Sequence, residues 1–125
     1  MLEIGKTATV STTVSEKNTA KSVGSGSLDV FSTPMMIALM EQAACECIAE
    51  SLEDGQTSVG TQIDVAHTAA SPVDAKISAT AKIEIADGRT ITFSVSASDE
   101  KNQIGNGKHI RVIVNAERFM SKIGG

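Results

Sequence analysis

The sequence predicts an α+β fold of two layers, with one long buried helix wrapped by a curved antiparallel β-sheet. Three observations carry that prediction. Residues 33–50 read TPMMIALMEQAACECIAE, apolar almost all round, which marks a buried helix rather than one lying on a surface. Segments that alternate and are rich in β-branched residues precede it once and follow it four times. The four that follow are joined by short turns, which favours an antiparallel meander of sequential neighbours. The length is typical of one domain, so residues 1–125 are read as a single domain.

Residues 6–15 (KTATVSTTVS) form the first strand pattern. Residues 16–29 are polar and contain Gly24, Ser25, Gly26 and Ser27, so they read as a mobile loop, either a lid over a site or a connector. Ser32 and Thr33 are good N-caps, and Pro34 suits the first turn, where its missing N–H costs nothing. Met35 to Met40 then run without a polar break until Glu41 and Gln42, and the apolar run is shorter than the roughly 20 residues a bilayer span needs. Gly55 fits a helix stop. Residues 57–67 read as a strand with Val59, Thr61, Ile63 and Val65 on one face. Gly60 interrupts it, as a bulge or a close backbone approach requires. After a break at Pro72, residues 73–86 alternate through Ile77, Ala79, Ala81, Ile83 and Ile85. Asp87-Gly88 signals a two-residue hairpin. Residues 89–98 return with Ile91, Phe93, Val95 and Ala97 alternating with Thr90, Thr92, Ser94 and Ser96, and residues 104–119 form the last strand, Ile110, Val112 and Val114 opposing His109, Arg111 and Ile113.

Aromatic content is 2%, so Ile, Val, Leu, Met and Ala must build the core, and the stacking surfaces that single-stranded nucleic acid needs are missing. Net charge is −4 with no Lys/Arg cluster, which also speaks against a nucleic-acid partner. Cys45 and Cys47 stand two apart on the helix and point to different sides, so they cannot bond to each other and read as small buried apolar residues. Unbonded thiols, and a start (MLEIGKTATV) without a basic then apolar leader, predict a cytoplasmic protein with no membrane partner. One helix cannot protect the edge of such a sheet, so a homodimer is expected.

Few side chains can do chemistry from a buried position. Glu41 stands within the apolar helix, either on its wet side or as a carboxylate in an apolar pocket. His67 ends the strand after the helix, either in solvent or as a proton carrier near neutral pH. Thr33 is an N-cap or a donor to substrate, and His109 lies in the last strand. Thr33 and Glu41 are separated by about 12 Å of helical rise and about 80° around the axis. They can line one groove, but a substrate, a water or a neighbouring chain must bridge them. No zinc-ligand spacing, phosphate loop or nucleophile elbow is present, and no metal or cofactor is expected.

Val30-Phe31-Ser32-Thr33-Pro34, the helix through Met40-Glu41-Gln42-Ala43-Ala44, and Val59-Gly60-Thr61 followed by Val65-Ala66-His67 resemble the fluoroacetyl-CoA thioesterase-like family of hotdog-fold acyl-CoA thioesterases. The resemblance spans roughly residues 5–120. It implies hydrolysis of an acyl-CoA thioester at a dimer interface, with coenzyme A as part of the substrate. It also implies a catalytic set of Thr33, Glu41 and His67. Glu41 would be the nucleophile or the base that activates water, His67 would move protons, and Thr33 would orient water or Glu41. Gly60 would bring its N–H toward the thioester oxygen. Selectivity for fluoroacetate in that family rests on bulky apolar residues in the loop before the helix. Here that loop reads Ser22-Val23-Gly24-Ser25-Gly26-Ser27, so a different short or medium acyl group is expected. The rivals are a hotdog hydratase or dehydratase, a plain structural dimer, and a non-catalytic hotdog dimer that binds acyl-CoA or another small apolar ligand.

Overall fold

The long helix starts where the chain can cap it. Ser32 sits in extended backbone and its Oγ accepts a hydrogen bond from the Met35 N–H at 3.3 Å. Pro34 fills the first turn, and α2 runs Thr33–Ile48 before a 3-10 turn at Ala49–Ser51. The computed structural model describes residues 2–124. The buried stripe of α2 is Met36, Leu39, Met40, Ala43, Ala44, Cys47 and Ile48, a helical repeat of three and four. The opposite side is open. Met35, Ala38, Gln42 and Cys45 are exposed, so the expectation of a helix buried all round is corrected. A single sheet can cover only one side of a cylinder. Cys47 is a small core residue as expected, whereas Cys45 is not, and both thiols are free.

Five strands make one antiparallel sheet: β1 Thr7–Thr13, β2 Gln56–His67, β3 Lys76–Asp87, β4 Thr90–Ser98 and β5 Gln103–Asn115, in the order β1-β3-β4-β5-β2. The predicted meander holds for β3, β4 and β5. β2 departs from it, because it pairs with β5 rather than with β3. The link over residues 68–75 is a crossover and not a turn. Pro72 bridges to Val30, and the Ser71 carbonyl accepts from the Phe31 N–H at 2.9 Å. β1 and β2 are therefore the two edges.

Ile77, Ala79, Ala81 and Ile83 of β3, with Ile91, Phe93, Val95 and Ala97 of β4, face α2 and form the core with its buried stripe. A bulge between Ile83 and Ile85 turns Ile85 outward, against the predicted alternation. The hairpin loop is Gly88-Arg89, one residue later than the sequence signal, with Gly88 at φ 61°. β5 stops four residues early for a visible reason. The Asn115 side chain accepts from the Arg118 N–H at 2.9 Å and caps a short helix, α3, Ala116–Lys122. The predicted mobile loop is structured. Thr19 caps the one-turn helix α1, Ala20–Val23, which Gly24 closes in left-handed backbone, and Thr19 also bridges to Phe31.

Candidate active site

Because Ser32 caps α2, the Thr33 hydroxyl is not used as a cap. It lies 2.8 Å from Nδ1 of His67, the last residue of β2. Two glycines of β5 allow β2 to run this close. A Cβ on Gly107 would stand 2.1 Å from the Asp64 carbonyl oxygen, and one on Gly105 would stand 2.8 Å from that of Ala66. The bond to Thr33 fixes the imidazole and leaves Nε2 as a buried nitrogen without a hydrogen-bond partner. Burial pushes the His67 pKa below its ordinary value, against a smaller opposing contribution from the Ala69 backbone. The ring is therefore neutral at pH 7 and able to take a proton. Thr33 and His67 share a cleft of about 290 Å³ with Phe31, Ala20, Ser25 and Ala69. The glycine–serine loop thus forms one wall of this cleft. Met36 and Met40 are core residues and Met35 lies in a different groove, so none of the three lines it.

Glu41 is held elsewhere. Its carboxylate does not sit in an apolar pocket. Oε2 accepts a hydrogen bond from Arg111 Nη1 at 3.2 Å and lies 3.8 Å from His109 Nε2. Arg111 is almost saturated, since Nε donates to Ser58 Oγ at 2.8 Å and Nη2 to the Ser58 carbonyl at 3.1 Å. His109 is 1% exposed and stacks on Phe93 at 6.1 Å between ring centres. Its Nδ1 is 2.8 Å from the Gln62 carbonyl, which can only accept, so the proton is on Nδ1. Nε2 then accepts from Arg111 Nη1 at 3.2 Å. Burial lowers the His109 pKa, and Arg111 lowers it further, while Gln62 and Glu41 oppose. Gly60 is opposite Arg111 in the β2–β5 register, next to the predicted bulge, and lies against the Glu41 carboxylate.

One chain thus joins Thr33 to His67 and sets Glu41 and Gly60 together in a second cluster further along α2. Sequence reasoning missed Arg111 and Ser58 and gave His109 no role. The signal was present in β5, where His109, Arg111 and Ile113 alternate. Choosing which face turns inward needed the register with β4. Among the described residues no group of three or more His, Cys, Asp or Glu side chains can hold a metal, and no helix is long and apolar enough to cross a membrane.

A five-stranded antiparallel sheet packed against one long helix is the hotdog fold, and the chain's relatives place it among the acyl-CoA thioesterases. The Fluoroacetyl-CoA-specific thioesterase family matches residues 14–117. A fluoroacetyl-CoA thioesterase of Streptantibioticus cattleyicolor is 40% identical over 95 residues, covering 76% of this chain and 68% of that protein. A solved structure of the fluoroacetyl-CoA thioesterase superposes with a TM-score of 0.94 at 32% identity, covering 99% of this chain and 96% of its own. A thioesterase superfamily member of Thermus thermophilus shares the fold at 24% identity, with a TM-score of 0.91 and coverage of 99% and 92%. The chain belongs to the fluoroacetyl-CoA-specific thioesterase family.

Proposed function

We propose that this chain hydrolyses acyl-CoA thioesters with Thr33, Glu41 and His67 as its catalytic set. The observation that carries the reading is the Thr33–His67 bond, which holds a neutral imidazole at the wall of an open cleft, with its Nε2 buried and without a hydrogen-bond partner. In the reaction the thioester carbonyl carbon gains an oxygen and loses sulfur. The C–S bond breaks, and the thiolate of coenzyme A takes up a proton delivered through His67. Glu41 either takes a proton from the water that attacks the carbonyl, or attacks directly to form an acyl–Glu41 anhydride that water then hydrolyses, releasing the acid and regenerating the carboxylate. Thr33 orients the imidazole. The N–H of Gly60, a residue of the same strand as His67 that lies against Glu41, serves the developing oxyanion in this reading. Coenzyme A enters only as part of the substrate, and no further cofactor is required.

The working unit is a homodimer. Glu41 is engaged away from the Thr33–His67 cleft of its own chain, and β2, which carries both Gly60 and His67, is an edge strand with exposed Ile63 near its middle. Antiparallel pairing of two β2 strands about Ile63 and Asp64 sets Gly60 close to the partner's His67. The acid of one copy then faces the hydroxyl–imidazole pair of the other. The loop at residues 22–27 offers little bulk, so the acyl group is short or medium and not restricted to fluoroacetyl. Two free thiols fit a cytoplasmic location.

The test is thiol release from a panel of short, medium and aryl acyl-CoAs by wild type, Glu41→Gln and His67→Ala. Turnover lost by at least about 100-fold in both variants, with intact melting curves, is expected. Absence of turnover on every substrate, with a raised melting temperature on adding acyl-CoA, would instead fit the binding-only dimer.

A further inference from the structure

We propose that Gly60, Arg111 and His109 form a seat that fixes one oxygen of the Glu41 carboxylate and leaves the other as the reacting atom. The inference rests on the proposed role of Glu41. All three contacts converge on Oε2. Arg111 Nη1 donates to it at 3.2 Å, and His109 Nε2 lies 3.8 Å away. A Cβ built on Gly60 would stand 2.7 Å from it, 3.1 Å from His109 Cε1 and 3.3 Å from Arg111 Nη1. Oε1 takes part in none of these contacts. The side chain of Glu41 is 41% exposed, so a carboxylate on a free stem would rotate between rotamers. The seat removes that freedom.

Each member has a separate physical task. Arg111 is held by Ser58 through Nε and Nη2, so its Nη1 is aimed before any substrate arrives. Gln62 holds the His109 proton on Nδ1 and burial favours the neutral ring, so Nε2 accepts from that same Nη1 and leaves the second Nη1 hydrogen for Glu41. The ring's neutrality matters, because a second cation here would compete with the guanidinium for Oε2. Gly60 supplies space. Any side chain at this position would push the carboxylate off its donors. Misplacing a reacting group by about 1 Å can cost on the order of 100-fold in rate. Arg111 and His109 are in these terms positioning residues for Glu41, and Gly60 positions Glu41 through the space it leaves while its N–H serves the oxyanion in the proposed reaction.

Steady-state kinetics of Gly60→Ala, Arg111→Met and Arg111→Lys test the seat with whichever acyl-CoA the wild type turns over best. The expected result is a fall in kcat of about 100-fold for Gly60→Ala and Arg111→Met, with KM within about threefold, and partial recovery of kcat in Arg111→Lys. Loss of stability alone does not give this split between kcat and KM, nor recovery with the conservative cation. Gly60→Ala adds one methyl group at an exposed strand position, so it keeps the test open where Arg111→Met does not fold. A folded Gly60→Ala enzyme with wild-type kcat overturns the seat. If Glu41→Gln is dead in the same assays, the thioesterase reading stands without it. A wild type that releases no thiol from any acyl-CoA overturns both.

Discussion

Two histidines show how burial rather than sequence sets a side chain's task. The ordinary imidazole pKa is 6.5, and desolvation moves both His67 and His109 below it. The unfolded chain therefore binds more protons than the folded one below about pH 6.5. Stability from these residues is present above that pH and is lost as pH falls through the lowered folded values. Melting temperature is expected to drop between pH 7.5 and 5.5, with a shallower slope in His109→Asn. A melting temperature that rises on acidification over that range would contradict the assignment. The same shift keeps His67 available as a base at pH values where a solvent-exposed imidazole is already protonated.

Among the elements, β2 carries the most information and depends most on its neighbour. It brings Gly60 to Glu41 and His67 to Thr33, and it lies close to β5 because β5 lacks side chains at Gly105 and Gly107. A methyl group on Gly107 would meet backbone atoms of Asp64 and Val65, which cannot rotate away. Gly107→Ala is expected to cost about 3 kcal/mol by overpacking and to lower thioesterase activity through displacement of His67. Urea unfolding and thiol release on the same preparation check both. Wild-type stability would show that β2 moves aside freely. α2 depends on a cap in a related way. Ser32 takes the capping role that Thr33 also suits by type, and that choice leaves the Thr33 hydroxyl for His67.

For the whole molecule, the division of the site between two places in one chain has a direct test. Glu41→Gln and His67→Ala each destroy a site if both residues act together. When the two inactive variants are mixed and exchange subunits, the hybrid dimer has one site with both residues intact, provided the site is shared between copies. Mixing is expected to restore activity toward one quarter of wild type, since random exchange makes half the dimers hybrids with one good site each. No recovery, with subunit exchange verified by mass, would place the three residues in one chain. A shared site would need an assembly through the edge strand β2, and α2 also leaves Met35 and Ala38 exposed on its open side.

The sequence by itself determined the layers and most of the elements. The apolar helix, the alternation in β3 and β4 and the Gly60 bulge are local patterns, and local periodicity reports local structure. It also singled out Glu41, because an acid within an apolar stretch stands out in any register, and Gly60 as a break in a strand, whereas the grouping of Thr33, Glu41, His67 and Gly60 into one site came from the family resemblance. The pairing of β2 with β5, the inward face of β5 and the seat of Arg111 and His109 under Glu41 were decided only by the tertiary structure. Each depends on which strand lies beside which, and a one-residue change of phase sends the same side chains to opposite faces of a sheet.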